Sequence, residues 1–497
     1  MKKTFLSFVL IAFLIFSSFH SCANSDSFSI TQASIESSTD TGDSLEWADG
    51  TFECIIYDSS GMQIGGISGY LTQGRNPTVG SFQGFYTNID GVLQGTIHGF
   101  YKGDKLVGFL KGADSFTSMF LGKITGNSTH FSAEIKSTSL GDIYVSGVHS
   151  DSFLPMLTGE YDVGIVSYHL VDLNRLELFT DQPDDYREMM LQIWYPAAKG
   201  TSTERTSYMD TITFEWLFNR SPVPLITIPD NAYEFVRPYS MNAPFADTSE
   251  RFPVIVFSHG YDGVYQIYTS LIEDIVSHGF IVASINHPYI AGITVFPDGR
   301  TTFVEPINGN ISIESVVSDV TFVLDWLESI NQTDEILAGT MDLNHIGMYG
   351  HSFGGAATAI CCYQDDRIKA GLTLDGVVYS DRVPDDFDKP FLMLLAEGSN
   401  LRMGTEYLWD LLNNEVYTVE IIGSTHYGYT DVGILLDHFV PLIPSKYLGF
   451  GEIDAKRLVL ITKAYEIAFF ETYLKGEPLE NLMQLEDYYE EVIFQFQ

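Results

Sequence analysis

Cysteine and positive charge are both scarce in this chain, and its long apolar runs are confined to the first residues. Only four cysteines occur in 497 residues: Cys22, Cys54, Cys361 and Cys362. Too few are spread too unevenly for a disulfide framework, and the adjacent pair 361/362 reads as buried packing in a helix. No cysteine or histidine spacing matches a metal cage, so neither a metal nor another cofactor is expected. Lys and Arg together number 26 against 65 Asp and Glu, a formal charge of −39. The deficit is uneven: residues 26–155 hold 14 acids and 6 bases, whereas 156–497 hold 51 and 18. Nucleic acid and anionic membrane surfaces are disfavoured as partners of so acidic a chain, while self-repulsion keeps it dispersed. Beyond the N-terminus no uninterrupted apolar run approaches the length of a bilayer span.

What is present divides the chain. Met1-Lys2-Lys3 followed by an apolar stretch from Phe5 to Phe16 has the layout of a secretory signal, residues 1–23, with cleavage permitted after Ala23. The alternative is a lipid anchor at Cys22; either way the protein is expected to be secreted or extracytoplasmic. Residues 24–48 are rich in Ser, Thr and Asp and read as a linker. From 49 to 150 short apolar pieces are punctuated by glycine, with Gly69, Gly84 and Gly99 recurring every 15 residues. This predicts antiparallel hairpins in a small all-β domain, a sandwich or a short repetitive sheet, whose role is open between spacer and binder of a surface or partner. From 156 to 497 strand-like runs (190–196, 254–257, 281–285, 346–349, 370–374, 391–395) alternate with helical patterns such as 315–330, which predicts an α/β fold with a mostly parallel sheet.

In that setting Gly350-His351-Ser352-Phe353-Gly354 is the layout of a nucleophile elbow: an apolar run enters it and a small-residue run leaves it. With 43 glycines in the chain the five letters alone are weak, and the flanks carry the weight. A serine hydroxyl needs a neutral imidazole, itself oriented by a carboxylate, to act as a nucleophile. The chain order serine, acid, histidine reduces 12 histidines to His426, in a glycine-bounded loop, and His438, in an apolar stretch that suits packing. Two carboxylates end successive predicted strands, Asp375 and Glu397, and order alone leaves both open. The oxyanion hole should combine the backbone N–H of Phe353 with that of Tyr261, in the loop Ser258-His259-Gly260-Tyr261.

These blocks resemble the platelet-activating factor acetylhydrolases of the plasma and intracellular type II family, within the α/β-hydrolases. The resemblance runs from Gly159-Glu160-Tyr161-Asp162-Val163-Gly164 to Tyr473-Leu474-Lys475-Gly476 and includes Leu191-Gln192-Ile193-Trp194-Tyr195-Pro196, Phe257-Ser258-His259-Gly260, the elbow, and Leu374-Asp375-Gly376. It implies Ser352 as nucleophile, Asp375 rather than Glu397 as acid, His426 as base, and the amides of Tyr261 and Phe353 on the oxyanion. The implied activity is a serine ester hydrolase acting on a small-molecule or lipid ester, such as short-acyl phospholipids resembling platelet-activating factor. A broad short-chain carboxylesterase and a non-catalytic binding protein that kept the fold are the alternatives. Asn286-His287-Pro288-Tyr289 departs from the animal pattern, and the first 150 residues have no counterpart in it. The aromatics of 205–247 are open between an apolar lid and core.

Overall fold

The computed structural model describes residues 50–59, 62–73, 79–88, 93–112, 117–126, 130–137, 141–150, 152, 154–198, 204–219, 236–242, 246–377, 382–383, 387–399, 415–439 and 445–496. The signal, Cys22 and linker readings, and most of the aromatic segment after Asn219, lie outside the described residues.

Eight antiparallel strands come first: β1 (Gly50–Tyr57), β2 (Gln63–Gln73), β3 (Val79–Asn88), β4 (Leu93–Lys102), β5 (Lys105–Gly112), β6 (Thr117–Gly126), β7 (His130–Ser137) and β8 (Gly141–Ser150). Each pairs with the next and β8 returns to β1, with Cys54 opposite Gly147, so the all-β domain is a closed barrel, neither a sandwich nor an open repetitive sheet. Closure leaves no edge strand to satisfy. The glycine spacing marks the hairpins: Gly69 faces Gly84, and Gly99 faces Gly108. Gly99 and Gly108 are required by close approach, since a Cβ there would lie 2.5 Å from the rings of Phe82 and Phe120 respectively. Those rings, with Phe52, Ile97, Leu110 and others, fill the barrel's interior.

The second body is built on a ten-stranded sheet in the order β11-β9-β10-β13-β12-β16-β17-β18-β19-β20. Its strands are β9 (Asp162–Leu176), β10 (Tyr186–Ala197), β11 (Met241–Asn242), β12 (Phe252–Ser258), β13 (Ile281–Asn286), β16 (Met341–His351), β17 (Ile368–Leu374), β18 (Phe391–Ala396), β19 (Val416–Ile421) and β20 (Val492–Phe496), with β14 (Ile293–Val295) and β15 (Thr301–Phe303) forming a separate hairpin. From β13 to β19 every neighbour pair is parallel, while β9, β10 and β20 add antiparallel pairings at the flanks. Central strands such as β12 are buried along their whole length, which is why they read as unbroken Val/Ile/Phe runs rather than alternating ones.

Helices cover both faces: α1 (Thr211–Asn219), α2 (Thr269–Ser277), α3 (Gly309–Thr333), α4 (Phe353–Gln364), α5 (Val432–Phe439) and α6 (Ala455–Phe470). They seal two apolar layers, one on each side of the sheet. Cys361 and Cys362 are buried in α4. Of the described aromatics of the 205–247 segment, Tyr208, Phe214 and Phe218 are buried, with the two Phe rings packed on Phe439, and Trp216 and Tyr239 are half-buried against the same core.

Candidate active site

Ser352 stands between β16 and α4 with φ 54° and ψ −113°, a conformation a side chain other than glycine's rarely adopts. The turn is held tight because its glycines are in contact with other backbone. A Cβ on Gly354 would lie 2.0 Å from the Ser258 carbonyl oxygen, and one on Gly350 would lie 2.4 Å from the Gly354 carbonyl carbon. Ser352 N–H donates to Leu374 O at 2.9 Å, tying the elbow to the end of β17. Gly354→Ala is therefore expected to force β12 and α4 apart, costing about 3 kcal/mol or more in urea unfolding and most of any esterase activity; a variant as stable and active as wild type would contradict this packing.

The structure brings Ser352, His426 and Asp375 together from the ends of three strands. His426 Nε2 is 2.9 Å from Ser352 Oγ, and its Nδ1 is 2.6 Å from Asp375 Oδ2. The imidazole is 31% exposed, whereas Asp375 is 2% exposed. Burial would raise the Asp375 carboxyl, but the hydrogen bonds from His426 and from Ala396 N–H outweigh it and hold the group below the usual carboxylate range. The acid therefore stays ionised and fixes the ring with Nδ1 protonated and Nε2 facing the serine. Glu397 is elsewhere: exposed, it accepts Gly423 N–H at 2.8 Å and braces the loop that carries His426. His438 lies in α5 against Phe439, and burial pushes its imidazole down to about 3.

Tyr261 and Phe353 flank the serine from two elements. A Cβ on Gly260 would sit 3.2 Å from Ser352 Cβ, so the loop after β12 passes directly over the elbow. The Tyr261 and Phe353 rings meet edge to face at 6.4 Å, and the Tyr261 hydroxyl donates to Glu305 O at 2.9 Å. Phe353 N–H is the first donor of α4, at the positive end of its dipole.

Two relays that the sequence did not reveal support this arrangement. In the first, Tyr268 O–H donates to His351 Nδ1 at 2.9 Å and His351 Nε2–H donates to the carbonyl of His426 at 2.8 Å. Burial and the neighbouring His426 push His351 down to about 3, so it stays neutral and keeps this one tautomer. Tyr268→Phe removes its donor and is expected to cost about 1–3 kcal/mol of stability and to lower kcat more than it raises KM; an unchanged kcat would remove the relay's positioning role.

The second relay is buried throughout. Arg187 and Asp319 pair at 2.6 Å, Asp319 accepts His287 Nδ1–H at 2.8 Å, and Ser258 O–H donates to His287 Nε2 at 3.0 Å. His287 N–H also donates to His259 Nε2, and His259 Nδ1–H to Gly260 O, so the cluster ends on the loop above Ser352. The Asn-His-Pro-Tyr departure thus supplies a strut of this loop, and its partners lie too far apart in sequence to be paired by inspection.

A ten-stranded sheet with a serine on a strand-to-helix elbow and a histidine and acid from later strand ends defines an α/β-hydrolase. The family model for platelet-activating factor acetylhydrolase, isoform II, matches residues 146–323 and 309–487, and the chain belongs to that family. It is 25% identical to a platelet-activating factor acetylhydrolase of Cavia porcellus, over 48% of this chain and 61% of that protein. It is 29% identical to a probable 1-alkyl-2-acetylglycerophosphocholine esterase of Arthroderma benhamiae, over 49% and 66%. The chain thus spans less than two thirds of the length of these curated relatives. A ferulic acid esterase from Streptomyces cinnamoneus superposes with a TM-score of 0.60 at 25% identity, covering 70% of this chain and all of that one.

Proposed function

We propose that this protein is an exported serine ester hydrolase whose substrates are short-acyl esters of the platelet-activating factor type. The observation that carries the proposal is the hydrogen-bonded line Ser352 Oγ, His426 Nε2, His426 Nδ1, Asp375 Oδ2. His426 takes the serine proton as Oγ attacks the ester carbonyl carbon, and the amides of Tyr261 and Phe353 receive the oxygen that becomes negative. Collapse of the tetrahedral intermediate breaks the C–O bond, and His426 returns the proton to the leaving alcohol. Water, deprotonated by the same imidazole, then hydrolyses the acyl-enzyme and regenerates Ser352. Asp375 keeps its charge throughout and stabilises the imidazolium. Supporting the phospholipid reading are the family and the names of the relatives; supporting export is the pattern of residues 1–23.

A wider carboxylesterase range is the second reading, favoured by the likeness to the ferulic acid esterase. An ester panel on the full chain separates the two: nitrophenyl acetate, a feruloyl ester, and acetylated and long-acyl phosphatidylcholines. Preference for the acetylated phospholipid supports the first reading. Turnover of the feruloyl ester at a higher kcat/KM than the phospholipid replaces it with the second.

A further inference from the structure

The outer face of the barrel carries one sector built differently from its interior. Side chains alternate in and out along β4, β5 and β6, and the register sets the outward ones in rows across the three strands. Phe109 stands between His98 and Met119, and Val107 between Phe100 and Leu121. Phe100 is 61% exposed, Leu121 55%, Met119 45% and Phe109 37%. The row at one end is Lys102, Lys105 and Lys123, all exposed, and Lys111 is exposed beyond the other end. Asp104 reaches Lys123 at 3.6 Å and Glu134 of β7 lies opposite it. Residues 93–126 hold four lysines and two aspartates in a chain whose net charge is −39.

Exposed aromatic and aliphatic side chains and a row of like charges both disfavour the isolated barrel. One environment relieves both, a surface that is anionic outside and apolar beneath. We propose that the β4–β6 face docks on a lipid bilayer bearing anionic headgroups. Phe100, Leu121, Met119 and Phe109 enter the boundary between headgroups and acyl chains, and the four lysines meet the phosphates above it. Interfaces between proteins are depleted in lysine, whereas lysines whose stems lie along an apolar patch suit a membrane surface. The acidity of the rest of the chain does not prevent this, because charges beyond a Debye length of about 8 Å at physiological salt are screened. The barrel's interior is filled with apolar side chains, the reverse of the polar lumen of a membrane-spanning barrel, so the barrel rests on the bilayer and does not cross it. None of this depends on the ester assignment.

The test is co-sedimentation of the full chain with phosphatidylcholine vesicles, with and without phosphatidylglycerol, at physiological and at high salt. The wild type is expected to bind the mixed vesicles at physiological salt and to be released by high salt. Lys102→Glu with Lys105→Glu, and separately Phe100→Ser with Leu121→Ser, are each expected to weaken binding by more than about tenfold, with far-UV circular dichroism unchanged. Absence of wild-type binding overturns the proposal. So does binding that both folded variant pairs retain, or a concentration-dependent dimer that the variants abolish without any vesicle binding.

Discussion

Ser352→Ala is expected to lower kcat by about 10⁴- to 10⁶-fold while leaving the melting temperature near that of the wild type. In the proposed mechanism the loss is large because the substitution removes the atom that forms the acyl-enzyme, leaving the imidazole, the acid and the two amides to act only on a direct attack by water. Stability is expected to survive because among the described residues the Oγ hydrogen bond is to His426, and a strained backbone at φ 54° gains nothing from the hydroxyl. A residual rate above the uncatalysed one would measure what the imidazole, the acid and the proposed oxyanion amides contribute without the nucleophile. Activity within tenfold of wild type would place the nucleophile elsewhere.

Asp375→Asn is expected to cost about 10⁴-fold in kcat, against a few-fold for Glu397→Gln. The asymmetry follows from geometry. An amide at 375 offers His426 Nδ1 either an oxygen without charge or an N–H donor, and the second choice flips the ring to the tautomer that cannot accept the serine proton. Among the described residues Glu397 accepts Gly423 N–H, so its replacement loosens a loop without changing the imidazole's state. Steady-state kinetics on nitrophenyl acetate decide it: equal losses in the two variants would mean the loop brace matters as much as the buried acid.

Much of this site was legible in the sequence for specific reasons. Parallel strands buried on both faces must be apolar throughout, so their carboxyl ends could be located, and Ser352, Asp375 and the loop of His426 each follow such a run. Chain order then excluded most histidines. It did not choose between Asp375 and Glu397, since both end strands; family resemblance favoured the first, and the structure puts only Asp375 at 2.6 Å from the imidazole.

The unread features share another cause. Closure of the barrel depends on β1 meeting β8, residues 51–57 with 144–150, and alternation along each strand is the same in a barrel and in a sandwich. The Tyr268–His351 and His287–Asp319 contacts join residues 83 and 32 apart with no periodic pattern to announce them. The aromatics before Asn219 were ambiguous because a lid and a core have the same composition; what separates them is packing on α5.

The most direct test of the central claim is mass-spectrometric mapping of the full chain after reaction with a fluorophosphonate at neutral pH. One adduct is expected, on Ser352, formed in step with loss of ester hydrolysis and slowed strongly by Asp375→Asn. Turnover that persists with Ser352 unlabelled, or a modified residue other than Ser352, would contradict it.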